Sequence, residues 1–295
     1  MRRIRYLVGV VLATTCARAA PLALDPDTLI AEGTRMCLHY SYDQAEKFFA
    51  AARSAADPGS QTWLEATLGL AVALHHRVPL SAQRIHEQAA PLYEEVFAKG
   101  GPSLLAAQAA LNRGRIAQQR DEKADTVDNA TAQLWYQKVI DGWPHDPIAG
   151  EATIRMAVSL IESFEPDQVR KGIALAEERA AAFPDQMWAG SLWQLAGDSW
   201  WTVLGNRAEA IRCLLQAEKF GFADPSRAWV PVWRIASLAK DEGKSDIAIE
   251  HFRAIITKYP SSGKGWEAQQ HLIDMGIKPP LIKPPLDLED KGDAP

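Results

Sequence analysis

The sequence predicts an all-α protein: a solenoid of about six helical hairpins closed by a short C-terminal capping helix. Two observations carry that expectation. The chain writes nearly the same seventeen residues twice in one register, "YQKVIDGWPHDPIAGEA" from Tyr136 to Ala152 and "FRAIITKYPSSGKGWEA" from Phe252 to Ala268. Each copy begins on an aromatic, carries a β-branched residue three positions later, and meets a proline eight positions after its start, where a helix cannot continue. The second observation is an alanine four residues before each aromatic. The result is Ala132-Tyr136-Val139-Pro144 and Ala248-Phe252-Ile255-Pro260, a single stripe on one helix face.

Weaker copies fill the chain in order. They are Ala45-Phe49-Ala52 with Pro58, Ala89-Tyr93-Val96 with Pro102, Gly172-Ala176-Arg179 with Pro184, and Ala210-Leu214-Ala217 with Pro225. The six starting residues are 44, 43, 40, 38 and 38 positions apart. That leaves room for a partner helix before each copy. Gly33 stands twelve residues before Ala45; Trp193-Leu195-Ala196-Gly197-Trp200 precedes the fifth copy; Ile235, Ala236 and Ala239 precede the sixth. Small residues there let two helices approach closely. An ordinary bundle would give no reason for a proline after every copy. Gly243 falls at the turn of the last pair, where a positive φ is useful. Gly265 to Met275 reads as a polar-faced closing helix, and the duplicated Ile-Lys-Pro-Pro-Leu after it as extended chain. One hairpin cannot bury its apolar face alone, so stacking makes a continuous core and an extended concave surface.

The order of small residue, aromatic, small residue and proline resembles the second helix of a tetratricopeptide repeat, whose period is about 34 residues. The resemblance covers most of residues 20–276. It implies a right-handed α-solenoid and a non-enzymatic scaffold or adaptor, with a protein or peptide partner held in the concave groove. In its register Trp193 and Trp200 belong to the core, and Ala132 and Ala248 to the close helix contact. If Gly197 and Ala236 are equivalent, Trp201 and Trp233 lie on the groove side of first helices, with Gln194 and Asp198 beside the former and Lys240 beside the latter. Those five are the candidate binding residues. Ten tryptophans, six of them between Trp188 and Trp233, also fit a glycan-binding or glycan-cleaving protein of the cell wall, the alternative reading. A third is an oligomer whose groove holds its own neighbour.

The N-terminus reads as an export signal, residues 1–19. Arg2, Arg3 and Arg5 precede an apolar run from Tyr6 to Ala13, and Ala17-Arg18-Ala19 supplies small residues for cleavage before Ala20. Lipidation at Cys16 is the competing reading, against which stand the preceding Ala13-Thr14-Thr15. Periplasmic or secreted localisation follows, with association with the outer membrane or cell wall as its extension and residues 277–295 as a proline-rich tail. Cleavage removes four arginines and no acid, turning 32 basic against 37 acidic residues into 28 against 37, a net −9. An acidic chain is a poor nucleic-acid partner.

Catalytic and metal motifs do not emerge. "DEGKSD" at Asp241–Asp246 has Leu238 where a phosphate loop needs glycine. His75, His76 and His86 do not share one helical face with an acid and read as a solvated helix end. Cys37 and Cys213, with no metal spacing, read as two buried, unpaired thiols. No catalytic residue, metal or cofactor is expected, and oligomeric state is open.

Overall fold

A computed structural model describes residues 25–119, 127–185 and 187–281. The export segment and the tail beyond residue 281 lie outside these described residues. Six helical hairpins follow one another. They pair α1 (Pro26–Leu38) with α2 (Tyr42–Ala55), α3 (Gln61–His76) with α4 (Ala82–Arg84) and α5 (Ala90–Lys99), and α6 (Leu104–Ala117) with α7 (Asn129–Gly142). Then come α8 (Pro147–Ile161) with α9 (Pro166–Ala182), α10 (Ala189–Thr202) with α11 (Arg207–Phe220), and α12 (Trp229–Asp241) with α13 (Ser245–Lys258). The last helix, α14 (Gly265–Asp274), closes the stack.

Local chemistry sets the helix starts. Ser60, Ser103, Asp128, Asp146 and Asn206 each accept a backbone N–H of the following first turn, satisfying a donor that has no intrahelical partner. Pro91 sits inside the helical path of the second hairpin and has no N–H to give. The chain responds with a single π-turn, Ile85–Ala89, in which the Ala90 N–H reaches back to the Ile85 carbonyl. Gly243 has φ +70° at the α12–α13 turn, as its position in the sequence predicts.

The repeated stripes lie on the second helices, with Ala89 on the π-turn that leads into α5, and five of the six point wholly inward. Ala45, Ala89, Ala132, Ala210 and Ala248 are fully buried, and so are Tyr93, Tyr136 and Phe252. Burying such an aromatic contributes about 1.5–3 kcal/mol. The ring of Phe49 shows why the first helices carry small residues: a Cβ on Gly33 would come within 2.9 Å of it, and one on Gly69 of the next hairpin within 2.3 Å. The fourth stripe departs from expectation. Arg179 is only half-buried, its guanidinium 4.1 Å above the Phe183 ring, and Ala180 takes the buried place.

Three further expectations are corrected. Trp200 is half-buried rather than core, because its indole N–H donates to Glu177 at 2.9 Å. The closing helix is not wholly polar on its outer face, since Trp266 and Ile273 are exposed there. His75 is no solvated helix end: it is 1% exposed, packed against Tyr93 and bonded to Gln119 across the hairpin boundary at 2.7 Å. Helix periodicity alone did not show that α3 packs against α1, α2, α5 and α6.

Each helix packs on the next, and the first helices also touch one another: α1 on α3, α3 on α6, α6 on α8, and α8 on α10. Among the described residues, no pair of second helices packs to the same extent. First helices are therefore the inner, closer-packed layer of the curve, and second helices the outer layer.

Candidate functional site

Three cavities open along the first-helix layer. The N-terminal one, about 320 Å³, lies between α1, α3 and α6 and includes Ile30, Cys37, Glu65, Val72 and Leu105. The central one, about 520 Å³, is bounded by Leu104, Gln108 and Leu111 of α6, Ile148, Glu151 and Ile154 of α8, and Trp188 and Ser191 at the start of α10. The third, about 160 Å³, is formed by Gln194, Val230 and Pro231 with Asp224 and Arg227 of the α11–α12 connection. Leu104 and Leu105 are neighbours in sequence yet line different cavities, and Ala223 lines both the second and the third. The three thus form one groove running along all six first helices.

The floor of the central cavity is set by one close approach. Trp188 is 6% exposed and lies flat on Gly150 of α8, where a Cβ would stand 2.0 Å from its ring. Its indole nitrogen is buried there with no acceptor. Leu111, Ile148 and Ile154 continue this apolar floor, while Leu104 at 51% and Met187 at 89% exposure project at its edge. Exposed apolar side chains beside a cavity mark surface available to a partner.

Charge on the groove is mainly negative. Glu65, Asp146, Glu151 and Asp224 line it against Arg227 in the lining and Arg155 beside Glu151. Asp146 caps α8 through the Ile148 N–H, and Glu151 pairs with Arg155 at 2.9 Å. Asp224 is held below the usual carboxylate range, first by the Ser226 hydroxyl and further by backbone N–H groups, so it is ionised at neutral pH. Burial pushes the Cys37 thiol up, which keeps it protonated and a poor nucleophile. Cys37 and Cys213 both carry free thiols, as expected, but only Cys213 is buried; Cys37 is half-buried because it lines the N-terminal cavity.

The five residues singled out in the sequence fall into three separate places. The carbonyl oxygen of the Gln194 side chain accepts the Ala223 N–H at 3.2 Å and lines the third cavity. Asp198 and Trp201 are brought together by Arg234, which pairs with the carboxylate and lies 4.7 Å from the indole centre. Trp233 and Lys240 meet at His271: the ring centres of Trp233 and His271 are 5.7 Å apart, and Lys240 Nζ is 2.9 Å from His271 Nδ1. Trp233 also packs edge-on against buried Phe252 at 5.5 Å.

The central cavity was missed because its residues mix two periodicities on one helix. Ala149, Ala152 and Leu160 of α8 face the core, while Ile148 and Ile154 are half-buried at the edges of two core clusters and also line the cavity.

Elsewhere, a cavity of about 450 Å³ on the outer layer is lined by Glu218, Asp246, Glu250 and His251 of α11 and α13. His251 is nearly buried and joins the two helices, its Nε2 2.9 Å from Glu218 and its Nδ1 2.8 Å from the Ile247 carbonyl. Among the described residues no cluster of three or more His, Cys, Asp or Glu is placed to hold a metal ion, and no helix is long and apolar enough to cross a membrane.

No protein-family model matches the chain, and a search of curated proteins gives no match. Solved structures do resemble it. A Pseudomonas aeruginosa structure described as the functional characterization of pilF superposes with a TM-score of 0.51 at 16% identity, covering 83% of this chain and 97% of that one. A putative kinesin light chain of Podospora anserina with nearly identical TPR-like repeats gives 0.50 at 13% identity, covering 66% and 93%. The fold is an all-α, tetratricopeptide-like helical repeat.

Proposed function

We propose that this chain is an exported, non-enzymatic scaffold of the cell envelope that holds a segment of a partner protein along its first-helix groove. The observation that carries the reading is the row of three cavities on the inner layer, apolar in the middle and edged by exposed Leu104 and Met187. An apolar floor supplies binding area and a few polar groups supply orientation. The tetratricopeptide-like fold supports a protein partner by analogy of architecture. Export rests on the basic, apolar and small-residue order of residues 1–19.

The glycan-cleaving alternative needs two carboxylates free for acid–base work. At the central cavity both candidates have structural duties, Asp146 as a helix cap and Glu151 in an ion pair. That favours the scaffold reading.

The test is purification of the tagged protein from its own envelope, beside a Leu104→Asp/Met187→Asp variant. Both side chains are exposed, so the fold and circular dichroism should be unchanged. A protein partner should accompany the parent and be lost from the variant. Retention by the variant would place the interface off the groove, and a lipid-modified Cys16 in the membrane fraction would replace cleavage before Ala20 with lipid anchoring.

A further inference from the structure

The groove's charge and the spacing of its walls define the class of segment it takes. Building on the groove reading above, we infer that the occupant is an extended, cationic segment of another protein, with apolar side chains seated in the cavities and lysine or arginine between them.

The charge argument is direct. Four carboxylates, Glu65, Asp146, Glu151 and Asp224, line the three cavities, against Arg227 in the lining and Arg155 paired with Glu151, which leaves the groove net negative. The central cavity has no basic residue in its lining. An ionised carboxylate has about four acceptor sites. Bonds to the Gln61 amide, the Ile148 N–H, Arg155 and Ser226 engage these four groups and leave capacity for added donors. An acidic segment would bring like charges together over an apolar floor and would be rejected.

The spacing argument comes from the first-helix layer. From α1 to α10 successive first helices touch, so their axes stand about 8–10 Å apart. An extended polyproline-like chain advances about 3.1 Å per residue, roughly 9 Å in three. The first two cavities centre on α3 and α8, two helices apart, so successive apolar anchors of such a chain stand about six residues apart. Leu105, then Leu111 with Ile148 and Ile154, then Val230 with Pro231 provide the apolar walls in sequence along the groove. Met187, unbranched and 89% exposed, can adapt to different anchors at the central cleft.

The experiment uses fluorescein-labelled synthetic peptides and anisotropy at about 0.15 M salt, where unspecific attraction between separated surface charges is screened. The probes are a Leu-Lys-Ser repeat, which includes leucines six residues apart, and a Leu-Glu-Ser repeat. Each is titrated against the parent, Glu151→Lys, Leu104→Asp and an outer-layer control of equal charge change, Glu178→Lys, at an exposed site of α9. The Leu-Lys-Ser peptide should bind the parent and Glu178→Lys equally and lose about tenfold with Glu151→Lys, a change of ~1.4 kcal/mol. The Leu-Glu-Ser peptide should bind at least about tenfold more weakly. Equal loss with Glu151→Lys and Glu178→Lys would reduce the attraction to net charge and overturn the inference. Preference for the glutamate peptide, still sensitive to Leu104→Asp, would overturn the charge class but leave the groove reading intact. Binding insensitive to Leu104→Asp with every peptide would remove both.

Discussion

Gly150→Ala tests whether the floor of the central cavity is as tightly determined as its geometry indicates. The new methyl carbon would stand 2.0 Å from Cε2 and Nε1 of Trp188 and 2.1 Å from Cδ2. Carbon atoms pack at about 3.5–4 Å, so the ring must retreat by roughly 1.5 Å. Its other surroundings resist. The Arg179 guanidinium lies 5.5 Å from the ring centre and Phe183 6.2 Å from it, and Trp188 is only 6% exposed. Overpacking of this kind costs about 1–3 kcal/mol, and a rigid ring against a helix backbone belongs at the upper end. Alanine returns up to about 1 kcal/mol of helix propensity. The net loss expected is about 2 kcal/mol, or roughly 4–8 °C in a thermal melt followed by circular dichroism. Gly150→Ala combined with Trp188→Leu should lose less than the sum of the single changes, because the smaller side chain makes room for the methyl. A Gly150→Ala protein that melts a few degrees above the parent would refute the packing argument, since only an unobstructed helical glycine behaves that way.

Other perturbations follow from the same packing. Ala132→Leu and Ala248→Leu place a large side chain at fully buried positions of second helices and should each cost about 1–3 kcal/mol; melting like the parent would contradict the close helix contact. Trp233→Ala should lower stability by about 2–3 kcal/mol through its contact with Phe252, while Trp201→Ala, 36% exposed, should stay within about 1 kcal/mol of the parent; equal melting temperatures would count against this division. Burial pushes His75 down to about 3, with His76 and Arg115 adding to the effect, so the folded protein refuses a proton that the unfolded chain accepts near 6.5. Its contribution is complete above pH 6.5 and is lost as pH falls toward 3, and His75→Gln should flatten that part of the melting profile. His251 has the opposite sign. Burial alone would lower it, but its bonds to Glu218 and the Ile247 carbonyl outweigh burial and hold it raised, so its contribution is full below pH 6.5 and lost as pH climbs through the folded value. His251→Gln should remove that alkaline decline, and an unchanged slope would show that the α11–α13 pair does not titrate as described.

The second helices were legible because their stripe repeats. Ala45, Ala89, Ala132, Ala210 and Ala248 announce themselves by spacing, and each is buried. Prolines legible in the sequence end these helices, from Pro58 after α2 to Pro260 after α13. First helices were harder to read, since α3 and α8 are apolar on more than one face and no single period describes them. The groove inherits that difficulty. Trp201 and Trp233 drew attention as conspicuous side chains, yet each is occupied within the protein, by Arg234 and by Phe252 with His271. Leu104, Ile148 and Ile154 are unremarkable in composition and become a site only when three helices bring them together. His75 escaped for the same reason: its burial comes from Tyr93 and Gln119, 18 and 44 residues away.

The central claim is that the first-helix layer, and not the outer one, meets the partner. Site-specific photo-crosslinking in the producing cell tests it most directly, with the photoreactive residue placed at Leu104, Gln108 or Met187 on the groove, and at Glu178 or Arg253 on the outer layer. All five positions are exposed, so each tolerates the probe without disturbing the core. Crosslinks to one protein partner from the three groove positions, and none from the two outer positions, are the result expected. Crosslinks to that partner from Glu178 or Arg253 alone would contradict the account.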